Sequence, residues 1–558
     1  LVDDLRTLKT QDPQAAAALV VPSAPLRRYL KRLLVLEHRL ALLNLHILSF
    51  HQLALQLDRE RLTGAGNMQD GQRLELVSDF FFEHLLRHLG QRNLPQTGAL
   101  RLRELPPGAW AALWASLRDL KDGLVDPAVA LRAVEEGQFG VEDREKLKGL
   151  FTLLAALYEV RTALQVGSPD DLAALVTEFV PRSGFLGGLQ RLYYYGSYGL
   201  TQTQLTLLEV LSARLEVTLY FPLGSSSAYG FAQRFLERHL HPVMARFADL
   251  RSAAPVREVG QGTAGPEVSV VTMNAAGADD ELTLVCKQIL TLVETNGYRF
   301  DEIGVVGRTL APYQGSLQRI FDEHRIPFAS SATVPILQEP AVKTLLHLAQ
   351  LKINGFYRPS VLDVVSSPWY RAPADEGPGP EPRPDLWRIA VLALGITRGE
   401  DEWGLLGQLD RIKSWCDLRD EQQEDAGPVL SVEQVQLRLL WSRVKRLLDD
   451  VAVLPRQGSY AELTDAFVVF AERHLSIPDG SGGLGGSVEA LAEEPGLGRA
   501  LATVFAQLRD LDRLGATVRW EEWVQTFAEA LERATYVPAP AEFRAVEVLD
   551  AMAARGLG

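Results

Sequence analysis

The apolar residues of this chain follow two rhythms that trade places along its length. Residues 16–22, AAALVVP, form a short unbroken apolar run closed by Pro22, the pattern of a buried strand. Helical spacing follows in RRYLKRLLVLEHRL. Alternation in LNLHILSF (43–50) then predicts a second strand, running directly into the helical HQLALQL. This strand–helix–strand–helix order is that of an α/β layer with a parallel sheet. From about 70 to 165 apolar positions recur every three or four residues, as in LVSDFFFEHLLRHL and WAALWASLRDLKDGL, which predicts helices without clear strands. Residues 187–223 return to α/β: a strand in LQRLYYYGSY, a helix in TQTQLTLLEVLSARL and a strand in VTLYFP.

The stretch 251–267, rich in Pro, Gly and Ala, is expected to be an interdomain linker. A second α/β block follows. VSVVTMNA (268–275) predicts a strand, and ADDELTLVCKQILTLVETNG a helix stopped at Asn296–Gly297. DEIGVVGR (301–308) predicts a strand, followed by a helix to His324 and a short strand in IPFASS. From 341 to 540 the pattern is helical, broken by loops at 372–385 and 477–487, and FRAVEVLD then predicts a strand returning to the second block. Two α/β cores, each interrupted by a helical insertion, account for this order. There is no solenoid-type repeat.

Composition narrows the choices. The 558 residues are 47% hydrophobic and 23% charged, a globular balance with length for three or four domains. A net charge of −14 and a pI near 5.3 exclude a small protein that coats nucleic acid by bulk charge, but not a large one with a local basic groove. Arg27, Arg28, Lys31 and Arg32 would share one helix face, either such a groove or a solvated surface. Cys286 and Cys416 are too few for a zinc site or a disulfide framework and are expected to be buried thiols in a reducing, cytoplasmic compartment. No apolar run reaches membrane-spanning length. The chain starts at Leu1 without a signal pattern and stops shortly after a strand-like run, so both ends are expected to be cuts in a longer protein.

The search for catalytic chemistry returns little. There is no Gly-Lys pair, hence no phosphate-cradling G-x-x-x-x-G-K-[ST] loop. Asp119-Leu120-Lys121 is the one (D/E)-x-K of the kind a metal nuclease needs, but no Pro-Asp precedes it, and its helical setting predicts a surface face. Asp322-Glu323-His324-Arg325 imitates a helicase box, yet it follows helical spacing rather than a strand. Asp279-Asp280-Glu281 suits a helix start. His46 and His51 flank the second strand without metal-ligand spacing. No catalytic residue and no metal ligand is therefore assigned.

Several segments carry a resemblance. EIGVVGRTLAPYQGSLQRIFDEHRIPF (302–328) resembles superfamily 1 helicases, in which a strand ends in an Arg and a later turn matches Arg325-Ile326-Pro327-Phe328. The resemblance implies that Arg308 faces a nucleotide, a role suited to the paired donors of a guanidinium. An Arg capping a strand end is the alternative. VEVLDAMAARGLG resembles the fifth helicase motif, with Arg555-Gly556-Leu557 where Lys-Gly-Leu is usual, which places Arg555 and Gly556 on the nucleotide side as well. Arg in that position, together with VPSAPLRRYL, LHILSFHQLA, YYYGSYGLTQTQLTLLEVL and VLDVVSSPWYR, resembles the AddB or RexB subunits of bacterial ATP-dependent helicase–nucleases.

That resemblance implies two RecA-like lobes with parallel sheets, each with a large α-helical insertion. Its segments are 1–60 and 166–250 for the first lobe, 61–165 for its insertion, 268–345 and 541–558 for the second lobe, and 346–540 for its insertion. It implies DNA as partner, with a second, motor helicase–nuclease subunit, and a role in double-strand-break repair. Ser23, Arg27, Ser49, Phe50, Gln202 and Gln204 are the DNA contacts expected by position, although Phe50 suits core packing equally. ATP with Mg²⁺ would belong to the full-length protein, and a PD-(D/E)XK nuclease with an iron–sulfur cluster would lie beyond residue 558. Gly196-Ser197-Tyr198-Gly199 stands where an Asp-Glu pair is expected, implying a degenerate motor. The alternatives are a fragment of an active superfamily 1 helicase and a non-catalytic interaction scaffold.

Overall fold

The structure is a computed structural model that describes residues 1–40, 43–64, 73–92, 94, 97–140, 142–196, 199–221, 230–241, 270–330, 332–372, 381–408, 434–476, 496–537, 544–551 and 553–554. These fall into two compact units, 1–332 with 541–558, and 333–540. The first unit runs α1 (Val2–Gln11), β1 (Ala17–Val20), α2 (Ala24–Arg32), β2 (Leu45–Leu48), α3 (Phe50–Gly64), β3 (Glu75–Leu76), α4 (Asp79–Gln91), α5 (Pro107–Asp122), α6 (Pro127–Glu135), α7 (Arg144–Leu164), β4 (Val166–Gly167), α8 (Pro169–Thr177), α9 (Gly184–Gly188), β5 (Arg191–Tyr195), α10 (Gln202–Arg214) and β6 (Glu216–Tyr220).

All four residues of β1 are fully buried, as a strand covered on both faces requires. It lies between β2 and β5 in a four-stranded sheet of order β2-β1-β5-β6, every pair parallel. Alternation along β1 separates two cores. Ala17, Leu19 and Val21 join Tyr193 of β5, Leu26 and Leu30 of α2 and Leu34 just after it, and Leu5 and Leu8 of α1 pack in the same core. Ala18 and Val20 join Leu192, Tyr194, the α3 residues Leu53, Ala54 and Leu57, and Leu207 and Leu211 of α10. The stretch between the two halves of this sheet is helical as expected, except that β3 and β4 pair over two residues. A ladder that short leaves no alternation to detect. In α4 and α5, Phe82 stacks on Trp114 with ring centroids 4.3 Å apart, and the Trp114 indole donates to Asp79.

A second parallel sheet lies in the same unit. The helix Ala278–Asn296 ends at Gly297, whose φ of 75° is the left-handed stop that glycine favours. β7 (Gly304–Gly307), the helix Gln314–Glu323 and β8 (Phe328–Ser330) follow. The closing strand Val546–Asp550 inserts between β7 and β8, parallel to both. Its Val546 and Val548 pack on Leu282, Cys286 and Ile289. Cys286 is buried as expected, and burial pushes its pKa up to about 11. Cys416 and the linker 251–267 lie outside the described residues.

One expected strand is absent. Residues 270–275 carry no strand, and Val270 and Val271 are 83% and 71% exposed. β-Branched composition supplies propensity, but ladder hydrogen bonds and burial decide, and the described residues offer this segment neither. Asp322 and Glu323 are exposed at a helix end, as their spacing predicts, and Asp279–Glu281 occupy a first helical turn.

The second unit is helical, with two short antiparallel ladders that the sequence pattern did not disclose: 457–459 with 517–519, and 334–335 with 535–536. Its core is aromatic. The Phe467 ring lies within 6.3 Å of Phe505, Trp520, Trp523 and Phe527, and the Trp523 indole donates to Thr464. His474 is fully buried, with Nε2 2.8 Å from Asp450. Burial, reinforced by Arg446 and partly offset by Asp450, pushes its pKa down to about 4. An unfolded chain therefore takes up a proton at this histidine below pH 6.5, whereas the folded one does so only near 4. The contribution of His474 to stability is thus flat above pH 6.5 and falls by roughly 3 kcal/mol down to pH 4. Urea unfolding of the full chain, followed by tryptophan fluorescence, should show this slope in the native protein and a shallower one in His474→Gln. Equal slopes would contradict it.

Candidate nucleic-acid interface

The expected DNA contacts gather at one edge of the first sheet. Val20, Leu48 and Tyr194 are register partners near the C-terminal ends of β1, β2 and β5, so the loops that follow start side by side. α2 leaves β1 over one face and α10 leaves β5 over the other, as their separate cores record. The two loops therefore part between β1 and β5, the topological switch point at which open α/β sheets form a ligand crevice. Gly196, in the loop after β5, has φ 84°, and a Cβ there would sit 3.0 Å from Leu26 of α2. The turn after β5 thus needs glycine both for its backbone and for its clearance.

Ser23 caps α2, its Oγ accepting from the Leu26 amide at 3.3 Å. Ser49 caps α3 reciprocally with Gln52. The Ser49 Oγ accepts from the Gln52 amide at 3.2 Å, and Gln52 Oε1 accepts from the Ser49 amide at 3.0 Å. The same Oε1 accepts from Arg27 at 3.0 Å, so one side chain ties the loops after β1 and β2 together. Sequence reasoning missed Gln52, although Ser49-Phe50-His51-Gln52 is a capping-box spacing that could have found it. Phe50 is half-buried, its ring centroid 5.3 Å from that of Tyr194 and its side chain against the core. Gln202 is exposed at the start of α10. Gln204 is engaged, its Nε2 donating to Asp170 at 3.2 Å, and Thr201 caps α10 while donating to the same carboxylate.

The basic face of α2 is divided. Arg28 and Lys31 are exposed, Arg27 binds Gln52, and Arg32 pairs with Asp301, just ahead of β7, at 2.9 Å. This last contact links the two sheets of the unit from the far end of α2 to the strand-start side of the second sheet. Arg308 stands at the opposite end of β7, exposed, and makes no hydrogen bond or ion pair among the described residues. Gly307 beside it is in register with Asp550, whose carboxylate and carbonyl accept from Ala553 and Ala554 in the turn that leads on to Arg555. Arg555 and Gly556 lie outside the described residues.

Asp119 is exposed, as a surface face requires, but Lys121 is not. Lys121 is 4% exposed, bonded to Asp122 and Ser168 and paired with Asp171. Two of these partners, Ser168 and Asp171, come from the start of α8, which helical spacing alone cannot reveal. His46 packs edge-on to Phe185. Among the described residues no group of three His, Cys, Asp or Glu side chains could hold a metal ion, and no helix is long and apolar enough to cross a membrane.

No protein-family profile matches the chain. It is similar to the ATP-dependent helicase/deoxyribonuclease B subunit of Exiguobacterium sibiricum (strain DSM 17290 / CCUG 55495 / CIP 109462 / JCM 13490 / 255-15), 22% identical over 89% of this chain and 46% of that protein. Proteins of the same description from Latilactobacillus sakei subsp. sakei (strain 23K) and Bacillus subtilis (strain 168) are 24% and 22% identical over 45% and 49% of the chain, in each case 24% of theirs. The chain is a relative of the helicase/deoxyribonuclease B subunits. The resemblance drawn from its motifs and the similarity along its length thus name the same proteins, and it spans less than half the length of the relatives it matches.

Gln52 is expected to matter more than its ordinary polar identity suggests. Gln52→Ala removes the acceptor shared by Arg27 and Ser49 and should cost about 1–2 kcal/mol in urea unfolding. Gln52→Glu keeps the acceptor and adds charge opposite Arg27, so it should stay near or above the native value. A harmless alanine, or a glutamate as damaging as alanine, would contradict the shared-acceptor account.

Proposed function

We propose that this chain is the helicase-like, DNA-holding part of an ATP-dependent helicase–nuclease subunit that acts on double-strand-break ends. The observation that supports it is the topological switch point between β1 and β5. Ser23, Arg27, Ser49, Phe50, Gln202 and Gln204 all lie at the sheet edge that forms it, in a chain related to B subunits of that description. Two RecA-like lobes, 1–60 with 166–250 and 268–345 with 541–558, go with this function, as do helical insertions at 61–165 and 346–540. A single strand would lie along the first lobe's edge, its phosphates meeting Arg27 and the helix N-termini, while a partner motor subunit drives translocation.

Arg308, Arg555 and Gly556 are assigned to the nucleotide side of the second lobe. The absence of an Asp-Glu pair after β5, where Gly196-Ser197-Tyr198-Gly199 stands, supports a degenerate motor site. ATP with Mg²⁺, a PD-(D/E)XK nuclease and an iron–sulfur cluster are assigned to the full-length protein, and no described residue of this chain is assigned to the cluster.

Fluorescence anisotropy with a labelled oligothymidine tests the central claim. Affinity for the full chain should fall linearly on a double-logarithmic salt plot, and Arg27→Ala should flatten the slope by about 0.7 for one lost phosphate contact. Absence of binding, or binding indifferent to salt, would sink the proposal.

A further inference from the structure

The buried lysine of α5 lies where the helical insertion meets the crevice. Lys121 Nζ reaches Asp122 Oδ1 at 2.7 Å, Ser168 Oγ at 2.8 Å and Asp171 Oδ1 at 3.3 Å, three acceptors for its three protons. Asp171 also pairs with Arg161 of α7 and closes the capping box of α8, its Oδ2 accepting from the Ser168 amide and hydroxyl at 2.7 and 2.9 Å. Burial alone would raise the Asp171 pKa, but Lys121 and Arg161 outweigh it and the pKa is lowered.

The neighbouring side chain on α8 serves α10. Asp170 Oδ1 accepts from the Thr201 hydroxyl at 3.1 Å and from Gln204 Nε2 at 3.2 Å. The Thr203 hydroxyl, 3% exposed, donates to the Asp122 carbonyl at 3.3 Å, one residue from Lys121. The first turn of α10 is thus fastened twice, through α8 by Asp170 and through the end of α5 by Asp122, and Lys121 holds α5 and α8 to each other.

We infer that Lys121 is a positioning residue that locks the crevice-facing turn of α10 to the helical insertion, so that the two shift together when a strand is held. The inference uses the proposed function for what α10 contacts, and the geometry alone for the coupling. Replacing Lys121 by an apolar side chain of similar length would leave Asp122 and Asp171 facing each other with Arg161 alone to answer them, and the two fastenings of α10 would separate.

Hydrogen exchange on the full chain, without DNA, reads the coupling directly. In Lys121→Met the amides of Gln204–Thr206 should exchange about ten-fold faster, while those of Leu53–Leu57 in α3, which pack on the same core, keep their native rates. Thr203→Val, which leaves every charge in place, should reproduce a smaller acceleration at the same amides and serves if the lysine variant does not fold. In Asp171→Asn, adding Lys121→Met should accelerate exchange less than it does in the native background. Acceleration spread evenly over α3 and α10, or none in α10, would overturn the inference. Oligothymidine affinity of the same variants is the second arm, and it should fall with the α10 acceleration. A native protein that binds no oligothymidine would count against the proposed function, and the exchange arm would still decide the coupling.

Discussion

β1 has nowhere to expose a side chain. Its neighbours are parallel, so neither can be reached by a tight turn, and each connection must cross a face of the sheet. From β1 the chain crosses toward β2, and from β5 it crosses toward β6, in the opposite direction. Because such crossings keep one hand, opposite travel puts α2 and α10 on opposite faces. The parting of the loops above β1 and β5 is therefore a geometric consequence of strand order. The polar side chains at that parting are helix caps first, and their availability to a ligand follows from where the caps must stand.

The same economy holds where helices meet away from the sheet. Glu60 of α3 accepts from the Ser183 hydroxyl and from the Gly184 and Phe185 amides, fastening α9 to α3. In the helical unit, Gln436 Oε1 accepts from the Trp387 indole and the Arg383 amide. Arg443 lies over the rings of Tyr370 and Trp387, at 4.9 and 5.3 Å from their centroids. Apolar contacts tolerate sliding, whereas a buried polar group left without its partner does not. These few groups set how the helices sit.

Much of the sheet was legible in the sequence, because a parallel strand buried on both faces must be continuously apolar. AAALVVP and LYYY show this directly, VEVLD alternates with its apolar residues inward, and Gly297 marks its helix end through a backbone angle other residues avoid. α1 was missed, since Leu5 and Leu8 are its only buried side chains. Residues 270–275 misled in the other direction, having strand composition without a partner among the described residues. Where the candidate residues would stand was legible by position, and what they contact was not. Ser23, Ser49 and Gln202 stand where strand ends imply, and the Ser49–Gln52 spacing offers a capping box, but the tie of Gln52 to Arg27 and the contacts of Asp170 and Lys121 reach residues 25 to 50 positions away. No periodicity encodes such distances.

The place of the closing strand carries one more consequence. β7 and β8 are complete by residue 330, yet they meet only across Val546–Asp550, and the whole helical unit lies between in sequence. On a ribosome adding about 5–20 residues each second, the gap between those points is on the order of ten to forty seconds. For that interval β7 and β8 lack the one strand that pairs with both. The helical unit has time to fold before that strand arrives, so the order of synthesis itself favours finishing the inserted part first.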